Sequence, residues 1–303
     1  MINKIVFIVG PTAVGKSEIA LAVAERVGGE IVSCDSMQVY REIRIANNRP
    51  SDDGLRRVPH HLVGFLSVTE DYDVAAFNRM ANAAIVDIQS RGRVPVVAGG
   101  SGMYMQILLD GIFEDRSQDG GCREELSLLA DEKGLAFLYE QLRSQDPQAA
   151  SKVHPNDRRR LIRALEICLT HDRPATEAQK ERRGLWGKQP IDIFCLNLDR
   201  EELYERINQR VDAMFAAGLL EEIKSLAGIK LSRTAGSLIG IPELQAYFRG
   251  EHDLEAAKIL MKMHTRQFAK RQLTWFRKEK RAQWIELGKD KPIAVAVKTI
   301  SEF

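Results

Sequence analysis

Ile5-Val6-Phe7-Ile8-Val9-Gly10-Pro11-Thr12-Ala13-Val14-Gly15-Lys16-Ser17 joins an apolar, β-branched run to Gly-x4-Gly-Lys-Ser and passes straight into a helical pattern. Strand, loop and helix follow in the order a phosphate-binding loop requires. Glycines let the backbone turn its amides inward, and the next helix aims its positive end at the same point. Lys16 adds a mobile cation, and the Ser17 hydroxyl can ligate Mg2+. A plain glycine turn is the blander reading, but the flanking strand and helix meet both context conditions of the motif and weigh against it. The loop names a ligand group and no reaction.

Residues 17–27 have amphipathic helical spacing, with Ile19, Ala20, Val23, Ala24 and Val27 on one side and Gly28-Gly29 as the stop. A short strand over 30–34 delivers Asp35-Ser36 at its carboxyl end, the edge where open α/β sheets bind ligands. Asp35 is therefore expected to face the same crevice as the loop, with a strand-end turn as the alternative. Residues 41–66 hold Pro50, Pro59 and His60-His61 without periodicity and read as a long mobile loop over the site. The two histidines lack partners at metal spacing, which points to a structural or substrate-edge role. A helix is expected over 74–91, with Phe77, Met80, Ala84, Ile85 and Ile88 on one face. Residues 94–98 are a buried apolar strand, and Gly99-Gly100-Ser101-Gly102 breaks it before another helix, placing Ser101 at a second strand-to-helix junction.

From 116 to 188 the chain is helical and rich in charge, with Gly120-Gly121, Arg158-Arg159-Arg160, Arg163 and Arg182-Arg183 near Trp186. Residues 191–198 return as a strand. The expected architecture is α/β: a phosphate-loop NTPase-like parallel sheet flanked by helices, with core residues 1–115 and 189–303 and a mostly helical insertion at 116–188. In the long helical pattern 254–280, Lys258, Lys262, Arg266 and Lys270 stack on one face, among Phe268, Trp275 and Phe276. A solvated face and a nucleic-acid path are both open readings of that stripe. A short strand over 283–286 precedes the closing element.

With 44% hydrophobic and 28% charged residues in 303, the chain has the composition of an ordinary soluble protein. No run suits a membrane span, and the opening residues lack a signal-peptide pattern, so no membrane partner and a cytoplasmic monomer are expected. Cys34, Cys122, Cys168 and Cys195 form no Cys-x2-Cys pair and read as reduced thiols. A net charge of +2 does not by itself indicate nucleic-acid binding.

Several blocks in order resemble the tRNA dimethylallyltransferase family, also called tRNA isopentenyltransferase. They are the loop 10–17, Asp35-Ser36-Met37-Gln38-Val39-Tyr40, Pro59-His60-His61-Leu62, Gly99-Gly100-Ser101-Gly102-Met103-Tyr104, His154-Pro155-Asn156-Asp157 with Arg160 and Arg163, and Thr265-Arg266-Gln267-Phe268-Ala269-Lys270-Arg271-Gln272-Leu273-Thr274-Trp275-Phe276-Arg277. They span nearly the whole chain. The resemblance implies transfer of a dimethylallyl group from dimethylallyl diphosphate to N6 of adenosine 37 beside the tRNA anticodon, with release of diphosphate. By the same matching, residues 10–17 and Arg266 would hold diphosphate, with Mg2+ on Ser17. Asp35 would be the general base, and Lys16 and Ser101 would act on the leaving group. Ser36, Met37, Gln38 and Val39 would line the adenine pocket together with Asp35 and Ser101. Arg123, Arg159, Arg160 and Arg163 would clamp the anticodon stem through its phosphates. For Arg266 a core-edge salt bridge is the alternative.

Three departures stand out. Ser101 replaces the family's usual Thr and keeps the hydroxyl. Ala46-Asn47-Asn48-Arg49-Pro50 replaces Gly-Thr-Ala-Lys-Pro and keeps a cation, and Gly240-Ile241-Pro242-Glu243 departs from Gly-Tyr-Lys/Arg-Glu, preceded by Gly236-Ser237 in place of the usual Met-Gln. The competing readings are a phosphate-loop small-molecule or nucleotide kinase, a free-adenylate prenyltransferase, and a catalytically silent tRNA-binding relative.

Overall fold

In the computed structural model, residues 4–112, 121–171, 173–180, 182–288 and 292–302 are described. The expected boundary at 115–116 and Gly120 lie outside them. The sheet contains β1 (Ile5–Val9), β2 (Glu30–Ser33), β3 (His60–His61), β4 (Pro95–Gly99), β5 (Ile191–Leu198) and β6 (Gln283–Leu287). Their order is β3-β2-β4-β1-β5-β6, and every pairing is parallel. β1 lies in the middle, with Val6 beside Val96 and Ile5 beside Ile191. Its five residues are all buried, as a strand covered on both faces by helices demands.

Alternate residues of β1 feed the two cores. Ile5, Phe7 and Val9 pack on one face with Phe77, Ile85 and Ile88 of helix Val74–Ser90, whereas Met80 of that helix is exposed. Val6 and Ile8 pack on the other with Ile19 and Val23 of helix Lys16–Val27 and Ile300 of helix Ile293–Ser301. Helix Leu254–Phe276 buries Ala257, Met261, Thr265, Ala269, Gln272 and Phe276, a stripe at three- and four-residue spacing. Its cationic line meets protein partners: Lys258 pairs with Glu255, Lys262 with Asp212, and Arg266 donates to Asn208 Oδ1 at 2.7 Å.

The segment 41–66, expected as a mobile loop, is tied down. Glu222 accepts the backbone N–H groups of Arg44, Ile45 and Ala46 at 2.7, 2.8 and 2.9 Å. Asn47 Nδ2 donates to the Met37 and Ile43 carbonyls, Asp52–Arg57 forms a short helix, and β3 pairs with β2. These ties come from residues remote in sequence, so local composition concealed them.

The chain divides into two compact units, residues 1–109 with 185–303, and residues 110–184. Leu185 and Trp186 donate backbone hydrogen bonds to the Leu108 and Leu109 carbonyls, which is why the sheet-bearing unit resumes at 185 and not at the expected 189. The second unit is helical, comprising Gly121–Gln145 (broken at Gly134), Pro147–Ala150, Arg158–His171 and Ala175–Lys180. Leu126, Leu138, Leu142, Leu161 and Leu165 form its core.

Buried charge fixes one margin of the sheet. Glu30, at the start of β2, is 2% exposed, and its carboxylate meets Arg91, with His61 Nε2 at 2.8 Å. The Arg91 hydrogen bonds dominate burial and hold the Glu30 carboxyl down to about 2. A depressed carboxyl stabilises the fold above its unfolded value and loses that contribution as pH falls. Glu30→Gln should therefore cost about 2 kcal/mol near neutrality, with Arg91 41% exposed and solvent screening the pair. In urea unfolding, the gap between wild type and variant should close as pH falls from 4.5 toward 2; a pH-independent gap would show that the ion pair is not the cause.

Candidate active site

The carboxyl edge of the sheet brings together the turns that follow β1, β2 and β4. Leaving β1, Gly10 adopts φ 146°, and a Cβ there would lie 2.6 Å from the Leu196 carbonyl oxygen, so this crossing beside β5 needs glycine. Gly15, left-handed at φ 103°, opens helix Lys16–Val27 toward the loop it leaves. Lys16 Nζ donates to the Pro11 carbonyl at 2.6 Å. Burial lowers the Lys16 ammonium to about 8; the Asp35 charge raises it and Arg210 lowers it further.

Arg210, on helix Arg200–Ala216, is a component that sequence reasoning missed. Its Nη2 donates to Thr12 Oγ1 at 2.7 Å, while its buried Nε has no partner among the described residues. Burial lowers its pKa, and Asp35 opposes that shift. Two desolvated cations thus share one edge with a single carboxylate between their fields. A polyanion placed there would neutralise both and satisfy the open guanidinium donor.

Gln272 was also passed over. Its Oε1 accepts the Thr12 N–H at 2.8 Å and its Nε2 donates to the Gly100 carbonyl at 3.0 Å, clamping the loop after β1 to the turn after β4. Both residues carried a detectable signal. Arg210 falls three positions after buried Ile207 and four before buried Met214, and Gln272 interrupts the apolar stripe of its helix. Polar groups at core spacing are the ones that need an explanation.

Asp35 follows β2, and its Oδ1 accepts the Met37 N–H at 2.9 Å, an Asx-type turn that orients the carboxylate. Oδ2 accepts no hydrogen bond among the described residues. Ser101 Oγ accepts the Ser36 N–H at 3.3 Å, and the Ser101 N–H donates to the Cys34 carbonyl at 3.2 Å. This accepting role leaves the hydroxyl proton for a ligand. Gly99 permits the approach: a Cβ there would be 2.0 Å from the Cys34 carbonyl oxygen. Gln38 accepts from Ser33 Oγ at 2.9 Å, which fixes its amide beside the same strand end, and Val39 is buried. Arg266, bonded to Asn208, lies over the Tyr204 ring.

Ser17 is exposed in the first turn of helix Lys16–Val27, a single hard oxygen donor. That suits Mg2+, which keeps several waters and takes its remaining ligands from phosphate oxygens.

In the helical unit, Arg123 and Arg163 each place a guanidinium nitrogen 2.8 Å from the buried Glu166 carboxylate. Asp157 caps helix Arg158–His171 by accepting the Arg160 N–H, which accounts for the aspartate of the 154–157 block. Arg159 and Arg160 are exposed, and Arg160 also lies 3.3 Å from Asp157. Among the described residues no helix is long and apolar enough to cross a membrane.

A family model described as IPP transferase matches residues 38–279. The tRNA dimethylallyltransferase of Geobacter sulfurreducens is 42% identical, with 94% of this chain and 92% of that protein covered. That of Moorella thermoacetica is 44% identical over 94% and 90%. Among solved structures, the tRNA isopentenylpyrophosphate transferase of Bacillus halodurans superposes with a TM-score of 0.72 at 36% identity, covering 99% of this chain and 96% of that one. A eukaryotic dimethylallyltransferase captured acting on tRNA gives 0.81 at 29% identity, covering 94% and 74%. The chain belongs to the IPP transferase family, that of its tRNA dimethylallyltransferase relatives.

Proposed function

We propose that this chain transfers a dimethylallyl group from dimethylallyl diphosphate to N6 of adenosine 37 in tRNA and releases diphosphate. The observation that carries the reading is that two cations converge on the loop after β1, Lys16 on the Pro11 carbonyl and Arg210 on Thr12 Oγ1, at the sheet edge that also carries Asp35. Membership of a family whose named relatives act on tRNA supplies the acceptor class.

The diphosphate lies in loop 10–17, held by backbone amides, Lys16 and the open Arg210 donor, with Arg266 as a further contact. Ser17 would hold Mg2+, which when bound would add to the neutralisation of leaving-group charge. The adenine is turned out of the anticodon loop, because a base inside its stack cannot reach the site. Ser36, Met37, Gln38 and Val39 border it, and Asp35 accepts a hydrogen bond from its amine. N6 attacks C1 of the dimethylallyl group as the C1–O bond breaks, and the electron pair leaves with diphosphate. The amine proton passes to Asp35, while the Ser101 hydroxyl donates to the departing oxygen. The helical unit offers Arg123, Arg159, Arg160 and Arg163 to anticodon-stem phosphates, which gives grip without reading sequence.

Purified chain, incubated with dimethylallyl diphosphate, Mg2+ and unmodified tRNA bearing adenosine 37, should yield N6-dimethylallyladenosine on nucleoside mass analysis. No such product, alongside turnover of AMP or ATP, would replace this reading with one of its competitors. In the same assay Asp35→Asn should lower single-turnover transfer by about 100-fold or more while tRNA still binds. Ser101→Ala should lose about 100-fold in rate if its proton reaches the leaving group, and wild-type turnover in either variant would remove that residue from the mechanism.

A further inference from the structure

Arg49 lies in the segment Ala46-Asn47-Asn48-Arg49-Pro50 and is half-buried. Its Nε is inaccessible to solvent and unpartnered, and its guanidinium makes no hydrogen bond or ion pair among the described residues. The neighbouring acids are occupied: Asp52 by Arg44, and Asp53 by Arg56 and Arg57. The Nε of this half-buried guanidinium has given up water and the group has gained no counter-ion among the described residues, and both losses are recovered if an anion docks on it.

The side chain is held in place. Gly64, left-handed at φ 61°, lies flat against it, and a Cβ there would come 2.2 Å from Cζ, 2.3 Å from Nη1 and 2.4 Å from Nη2. The backbone on both sides is pinned to the segment after Asp35. The Gly64 N–H donates to the Gln38 carbonyl at 2.8 Å, Gln38 Nε2 donates to the Asn48 carbonyl at 3.1 Å, and Asn47 Nδ2 donates to the Met37 carbonyl at 3.1 Å. The Arg49 N–H is itself held by the Arg44 carbonyl and Asn47 Oδ1. Arg49 is thus a rigid cation attached to the residues that border the adenine, whereas the diphosphate has its own cations at the loop after β1.

We infer that Arg49 binds a backbone phosphate of the tRNA beside the extruded adenosine, an inference that rests on the proposed function. A flipped nucleotide must be held through its backbone, and a planar fork locked on a glycine is suited to bidentate contact with phosphate oxygens.

The test compares wild type, Arg49→Met, Arg49→Lys and Gly64→Ala in tRNA binding over a salt series and in steady-state transfer. Arg49→Met should weaken tRNA binding about tenfold at low salt and reduce the slope of log Kd against log salt by about one, one phosphate contact being lost. The KM for dimethylallyl diphosphate should not change. Arg49→Lys should restore the slope with part of the affinity. Gly64→Ala, which displaces the guanidinium, should reproduce the Arg49→Met slope and decides the question if Arg49→Met does not fold. An unchanged slope in Arg49→Met or Gly64→Ala overturns the inference, as does a defect confined to KM for the prenyl diphosphate. If wild type forms no prenylated adenosine, the functional reading fails instead; if wild type is active and the slope is unchanged, the inference alone fails.

Discussion

A lysine ammonium buried at the end of the central strand is the constraint around which the site is arranged. Lys16 is half-buried where β1 passes through the loop into its helix, and burial pulls its pKa down to about 8. The Pro11 carbonyl and the field of Asp35 offset that desolvation only in part. Arg210, buried nearby with an unpaired donor, adds repulsion. Between about pH 8 and the ordinary lysine value of 10.5 the folded chain binds fewer protons than the unfolded one, so this group's cost is full below 8 and fades as pH rises. Unrelieved charge of this kind is what a binding site for a multiply charged anion requires before its ligand arrives.

Holding two such cations in register requires a stiff support, and that support comes from distant parts of the chain. Gln272 ties the Thr12 amide to the Gly100 carbonyl, and Ser101 ties its turn to Ser36 and Cys34. The turns after β1, β2 and β4 are thereby linked by hydrogen bonds as well as by the sheet. Glu222 performs the same service for 44–46, which carries rigidity through Asn47 to Met37. The segment 46–50 therefore has a structural link to the residues after Asp35.

The parts of this arrangement that were legible in the sequence are those encoded locally. The β1–loop–helix unit, Asp35 at a strand end and Ser101 at a glycine-broken junction each follow from a short run of residues. The strand that returns at 191 was readable for the same reason. Arg210, Gln272 and Asn208 owe their positions to helix packing across the sheet, and on helix Arg200–Ala216 the surrounding Glu202, Glu205 and Arg206 make an arginine look like ordinary surface charge. The ordering of 41–66 was hidden because its anchor, Glu222, is about 180 residues away. The cationic line on helix Leu254–Phe276 left two readings open, and its partners Asp212 and Asn208 became visible only in three dimensions.

The central claim, that a desolvated lysine awaits a polyanion, is tested most directly by 13C NMR titration of lysine-labelled protein, with the Lys16 Cε resonance assigned by its disappearance in Lys16→Met. The free protein should titrate near pH 8, and saturating inorganic diphosphate should raise the midpoint to the ordinary 10.5 or beyond. A midpoint at 10.5 in the free protein, or one that diphosphate leaves unmoved, would contradict the account.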